Sequence, residues 1–319
     1  MKFLFFTDTH IRASNPSSRK DDYLESLKLK FEEVGEIANN NNVDYILHGG
    51  DLFDRPDVPV RIVGLFANIL NSYNKPIYII SGNHDIYGHN PKTVERSMLG
   101  LLNQINFVNL INFQEPILLE ENDLKVQISG VPYIYDIDSN YKDYYFPKKL
   151  DHVDCHIVMI HSFLIDKPFI DSISHTLIDE IKDVDADIVL AGHYHSGFGV
   201  KRFNDRYFIN PGSLARTYNS TPEIKRIPKV VIIEILKNKI EIKEIELKSA
   251  KDGIDIFNKI EDRYKIRNEQ LENFKQLIRS SGNLENYNTL EILKEISEEK
   301  NFPKHILDEA IRRLGEVNE

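Results

Sequence analysis

A single cysteine, Cys155, in 319 residues rules out an intramolecular disulfide and any metal site built from several thiolates. Such usage fits a reducing cytoplasm, and the expected role of Cys155 is that of a small core residue. Long apolar runs are also missing. None approaches the roughly 20 residues that span a bilayer. The apolar start Met1-Lys2-Phe3-Leu4-Phe5-Phe6 meets Asp8 too soon for a secretory signal, so no membrane partner is expected. Positive charge is not in excess: 40 Lys and Arg against 50 Asp and Glu leave a formal net charge of −10. That balance argues against a free-standing, sequence-general nucleic-acid binder, which usually carries a basic surface. It does not argue against a nucleic-acid enzyme, because bound divalent cations change the local charge and a partner can supply the positive surface.

What the chain does have is short β-type apolar runs alternating with stretches of helical period. Residues 2–7, 44–48 and 77–80 read as buried strands, with amphipathic helices at 21–39 and 58–73 between them. Further helices are expected at 93–103 and 174–183. Strands are expected at 107–111, 117–120, 124–131, 156–160, 188–191, 200–203, 207–209, 229–236 and 240–247. Strand–helix alternation followed by hairpins predicts an α/β protein with two sheets packed face to face and helices outside. After about Ser249 the Val and Ile alternation stops and charged helical sequence takes over. The expected organisation is therefore a main domain at 1–249 and a helical extension at 250–319, a possible docking surface for a partner.

Polar residues gather where the apolar runs end: Asp8 and His10, Asp51, Asn83 and His84, His161, then His193 and His195. Each cluster alone is an ordinary turn or a chance pairing. Together they form a set of imidazoles, carboxylates and one amide, suited to Mn²⁺, Fe²⁺ or Zn²⁺ rather than to a structural thiolate site. Asp51 has two oxygens and could bridge two ions. A pair about 3.5–4 Å apart clamps a phosphoryl group and acidifies water.

Asp8-x-His10, Gly50-Asp51-x-x-Asp54, Gly82-Asn83-His84-Asp85, His161 and Gly192-His193-x-His195 follow the order of the calcineurin-like metallophosphoesterase superfamily, which the chain resembles over residues 2–247. The resemblance implies a four-layer α/β/β/α sandwich, followed here by the helical extension, and two divalent ions, Mn²⁺ first among them. It implies one ion on Asp8, His10, Asp51 and His195, and the other on Asp51, Asn83, His161 and His193. It makes His84 the catalytic imidazole beside the substrate, with Asp85 behind it and Asp54 supporting the ligands. Protein phosphatases of the superfamily carry Gly-Asn-His-Glu, from which Asp85 departs.

The Asp8-Thr9-His10 start with its long loop, the segment at 48–59 and Pro211-Gly212-Ser213-Leu214-x-Arg216 resemble the SbcD/Mre branch, which includes phage recombination nucleases. Some nucleases of that branch carry His where Asp54 stands. This resemblance implies a cytoplasmic, metal-dependent DNA nuclease of repair and recombination, partnered by an SbcC-type coiled-coil ATPase and able to form a homodimer. The other readings are a small-molecule or cyclic-nucleotide phosphodiesterase or phosphatase, and a non-catalytic scaffold. The Tyr133–Tyr145 loop either packs on a sheet edge or offers rings to bases. Tyr133 and Arg216 are the candidate substrate contacts.

Overall fold

In the computed structural model, which describes residues 1–169, 173–237 and 239–258, the first strand already sorts the molecule into layers. β1 (Lys2–Phe6) points Phe3 and Phe5 one way and Leu4 and Phe6 the other, and all four are buried. Burial on both sides is what a central strand covered on two faces requires. Phe3 and Phe5 meet Leu47, Met159, Leu190 and Val231 between two sheets. Leu4 and Phe6 meet Leu27, Phe31 and Phe66 on the helical side. Each such side chain contributes on the order of 1.5–3 kcal/mol by leaving water.

After β1 come α1 (Tyr23–Asn40), β2 (Tyr45–His48), α2 (Val60–Ser72), β3 (Ile77–Ile79), α3 (Met98–Gln104) and β4 (Asn109–Leu110). Next are β5 (Ile117–Glu121), β6 (Leu124–Val131), the single turn α4 (Tyr141–Tyr144), β7 (Cys155–Ser162), β8 (Leu164–Ile165) and β9 (Thr176–Leu177). The described chain continues with β10 (Ile188–His193), β11 (Gly199–Phe203), β12 (Arg206–Asn210) and α5 (Thr221–Lys225). It closes with β13 (Lys229–Leu236), β14 (Lys239–Glu246) and α6 (Gly253–Ile256). One six-stranded sheet has the order β14-β13-β1-β2-β3-β4 and the other β11-β12-β10-β7-β6-β5. On the far side of the second sheet, Val158, Ile160, Val189 and Phe208 lie under Ile137, Tyr145, Ile178 and Ile181. This is the expected α/β/β/α order.

Local chemistry sets the boundaries. Asp22 caps α1 by accepting the Glu25 N–H at 3.0 Å, and the chain leaves that helix through Asn42 in the left-handed region. β1, β2 and β3 pair in parallel, as do β6, β7, β10 and β12. Their carboxyl ends meet: the His193 N–H donates to Asp8, and His161 Nδ1 donates to the Gly49 carbonyl. That edge is where such sheets bind ligands.

Several expected elements differ. The helix expected at 174–183 is instead β9, paired with β8, and a 3-10 turn at Ile178–Glu180. Thr176 is drawn into extended backbone by the bond from its hydroxyl to Asp138 at 2.8 Å. The helix expected at 93–103 is split by Ser97, which caps α3 by accepting the Gly100 N–H. Val60, the first residue of α2, is 69% exposed. Cys155 is buried, as a core residue should be, and burial pushes its thiol up to about 12. Residues 250–258 pack back on the 15–20 loop, with Phe257 buried and the Ile256 carbonyl accepting from the Lys20 N–H. The rest of the helical extension expected at 250–319 lies outside the described residues. No helix among those described is long and apolar enough to cross a membrane.

Candidate metal centre

Four of the residues expected at the site have positive φ: Asp8 (53°), His10 (42°), Asp51 (54°) and His193 (78°). Left-handed backbone costs a residue with a Cβ about 1–2 kcal/mol, and such strain clusters at functional positions. Here it turns each side chain inward just as its strand ends. The turns also need the absence of side chains. Gly50 has φ +99°, and a Cβ on it would lie 2.4 Å from His161 Nδ1. A Cβ on Gly82 would lie 2.0 Å from Asp51 Oδ1 and 2.5 Å from the Asp51 backbone nitrogen.

Asp8, His10, Asp51 and His195 offer ligand atoms that all lie within 4.8 Å of one another, and so do Asp51, His161 and His193. His10 Nε2 and His195 Nε2 face each other at 3.0 Å, with Asp8 Oδ1 3.5 Å from His195 Nε2. Asp8 is held by the Thr7 hydroxyl, which donates to Oδ2 at 2.7 Å. His161 Nδ1 donates to the Gly49 carbonyl at 2.7 Å, which turns Nε2 towards Asn83 Oδ1 at 3.2 Å. Asp51 is common to both groups. Its Oδ1 accepts the His84 N–H at 2.8 Å. Its Oδ2 is buried with no hydrogen bond, 3.4 Å from His161 Nε2 and 3.8 Å from His10 Nε2.

Two buried carboxylates whose only ion-pair partners are imidazoles call for positive charge. Among the described residues no lysine or arginine pairs with Asp8 or Asp51. Burial alone would raise both carboxyls, but the surrounding imidazoles hold them below the usual carboxylate range. Burial lowers His10 and His193 to about 3, which keeps both rings neutral with a lone pair to give. Burial would lower His161 as well, but Asp51 and Asp8 push it up to about 9. The neutral imidazoles of His10 and His193, two anionic carboxylates, one of them with an orphaned oxygen, and an amide oxygen fit divalent cations, on whose binding His161 would give up its proton.

His84 stands beside this cluster, its ring 4.7 Å from that of His10 and edge-on to it. Its Nδ1 must donate to the Asp54 carbonyl at 2.8 Å, since that oxygen can only accept. The expected role of Asp85 is corrected here. Asp85 makes no hydrogen bond to the His84 ring; its carboxylate accepts the N–H groups of Leu52, Phe53 and Gly82 at 3.0–3.3 Å. It therefore braces the Asp51 turn, and burial with the nearby Asp51 charge pushes it up to about 7. The Asp54 carboxylate lies 3.8 Å from His10 Nδ1 and 3.0 Å from Arg12.

Tyr133 lies at the cluster, its ring 5.9 Å from that of His193. Arg216 does not. Its guanidinium is buried and donates to the carbonyls of Arg226 and Lys251, so the expected phosphate contact is corrected to a structural one. Sequence reasoning passed over Thr7, Arg12 and His48, which accepts the Gly50 N–H at 3.2 Å. Their adjacency to the Asp8 and Asp51 turns was the available signal.

The sequence model of the calcineurin-like phosphoesterase family matches residues 1–197. The chain belongs to that family. The chain is 28% identical over 244 residues to a DNA double-strand break repair protein Mre11 of Methanococcus maripaludis, covering 72% of this chain and 59% of that protein. It is 29% identical over 311 residues to the double-strand break repair protein MRE11 of Encephalitozoon cuniculi, covering 86% of this chain and 52% of that one. These relatives support the SbcD/Mre branch, and the chain spans between half and three-fifths of their length. A solved structure described as GAP50, the anchor in the inner membrane complex of Plasmodium, shares the fold. It has a TM-score of 0.50 and 15% identity, and it covers 79% of this chain and 86% of that one.

Gly82→Ala is expected to reduce hydrolysis of bis-p-nitrophenyl phosphate about a hundredfold. The added methyl displaces Asp51, and misplacing a reacting group by about 1 Å costs that much. Steady-state kinetics beside circular dichroism checks this, and unchanged kcat in a folded variant would contradict it.

Proposed function

We propose that this chain is a DNA nuclease that hydrolyses phosphodiester bonds with two divalent ions, Mn²⁺ in the cell. In this reading one ion is held by Asp8, His10, Asp51 and His195 and the other by Asp51, Asn83, His161 and His193. The observation that carries it is the orphaned Oδ2 of Asp51 at the junction of two ligand groups. The ions, when bound, supply Lewis-acid neutralisation of phosphoryl charge and acidify water. The chain's own residues do the rest. Asp51 and Asp8 place negative charge where two cations must sit close together. The Gly49 carbonyl fixes His161 with Nε2 inward. His84, whose Nδ1 is held by the Asp54 carbonyl, leaves Nε2 to protonate the departing oxygen. Similarity to two proteins named for double-strand break repair supports DNA as the substrate. The chain works in the cytoplasm with an SbcC-type ATPase, for which residues 250–319 are the assigned docking segment.

End-labelled linear DNA incubated with Mn²⁺, Mg²⁺ or EDTA tests the reading. Shortening that requires Mn²⁺, with or without the ATPase, is expected. Intact DNA under both conditions, beside metal-dependent hydrolysis of bis-p-nitrophenyl phosphate, would replace it with a small-substrate phosphodiesterase.

A further inference from the structure

We propose that Tyr218 is a specificity-determining residue that stacks on an unpaired nucleobase next to the scissile phosphate, an inference that rests on the nuclease reading above. Its ring centroid lies 6.2 Å from that of His195, inclined by 32°. His195 in turn faces His10 at 3.0 Å and Asp8 at 3.5 Å, so Tyr218 flanks one end of the cluster. Tyr218 is 56% exposed, whereas its neighbours Thr217 and Asn219 are buried. The backbone on each side is pinned: the Ser18 hydroxyl donates to the Thr217 carbonyl, and the Asn219 amide donates to the Asn258 carbonyl. A fixed backbone thus holds out a large ring that contributes little to the core.

The other rings beside the cluster differ. Tyr133 and Phe163 are half-buried. Phe163 meets His193 edge-on at 87° and is enclosed by Tyr194 and Phe169. Tyr133 lies between His89, His161 and His193. Those rings pack against the imidazoles; Tyr218 keeps an open face. A nucleotide whose phosphate sits at the cluster brings its base within reach of that face. Bases inside a duplex already stack on both sides, so the platform selects a frayed end or a single strand. Substrates without a base gain nothing from it.

The test uses the whole chain with Mn²⁺ and a single-stranded oligonucleotide, intact or abasic at the nucleotides flanking the cleaved bond. Tyr218→Ala is expected to raise KM for the intact strand about tenfold, within the range for stacking of one base. It should leave KM for the abasic strand at the wild-type value, and Tyr218→Phe should behave as wild type on both. A 2-aminopurine at the flanking position should be quenched on binding by wild type and by Tyr218→Phe but not by Tyr218→Ala. If wild type cuts DNA while Tyr218→Ala matches it on both strands, or loses equally on both, stacking is overturned and the nuclease reading stands. If wild type hydrolyses bis-p-nitrophenyl phosphate and leaves every DNA intact, both are overturned.

Discussion

Asp51→Asn is expected to lower phosphodiester hydrolysis at least about a thousandfold and to reduce the divalent ions retained per chain. A thousandfold is about 4 kcal/mol of lost transition-state stabilisation, in line with the several kcal/mol that a cation contributes at a phosphoryl centre. The argument is geometric. Asp51 is the one residue common to the ligand groups Asp8–His10–Asp51–His195 and Asp51–His161–His193. Its Oδ1 is committed to the His84 N–H, and its Oδ2 is the buried oxygen without a hydrogen bond. An amide keeps the shape and can still accept from His84, but it removes the charge and turns an N–H₂ towards the imidazoles. Elemental analysis of the metal content beside kcat/KM on bis-p-nitrophenyl phosphate checks both halves. Full metal content with activity within tenfold of wild type would end the bridging role.

The gathering of these side chains at one edge was legible in the sequence because the physics that builds it is local. A parallel strand buried on both faces reads as a short apolar run, as with Leu4-Phe5-Phe6 and Ile46-Leu47, and whatever polar residue follows must stand on the carboxyl edge. Asp and His at those ends tolerate left-handed backbone better than most residues. Side-chain direction was less legible. Asp85 follows His84 directly, yet the 3-10 turn at Asn83–Asp85 sends the two side chains apart, His84 to the Asp54 carbonyl and Asp85 to the Phe53 and Gly82 amides. Arg216 follows a Gly-Ser turn of the kind that approaches phosphates. The same turn instead lets the Ser213 hydroxyl and the Ala215 N–H bind the Asp8 carbonyl, and it drives Arg216 inward. The stretch at 174–183 has Leu177, Ile178 and Ile181 at spacings that suit a helix, a strand or a tight turn. A partner distant in sequence, Asp138, decided it. Tyr218 carried no signal at all, because an exposed ring next to a site looks in sequence like any other surface tyrosine.

His84→Ala should show the second large effect, and its size should depend on the leaving group. General acid catalysis contributes about 10²–10⁴-fold, and it matters most when the departing oxygen is a poor leaving group. Loss of kcat in that range is expected for DNA, whose deoxyribose alkoxide needs a proton. For bis-p-nitrophenyl phosphate, whose phenolate departs readily, the loss should stay below about tenfold. Burial alone would lower the His84 pKa, but before ions bind Asp51 and the Asp54 carbonyl raise it above the ordinary histidine value; once cations neutralise Asp51, the Asp54 carbonyl, accepting from Nδ1, remains to favour the protonated ring that an acid must be. The sign follows: wild-type kcat on DNA falls as pH rises through that pKa, and the variant loses this high-pH limb. Metal content should not change, since His84 contributes to neither set of assigned ligands. Equal losses on both substrates would show that the imidazole acts through its charge on the phosphoryl oxygens and not by protonating the leaving oxygen. That outcome would move the proton donor to another residue while leaving the two ligand groups as assigned.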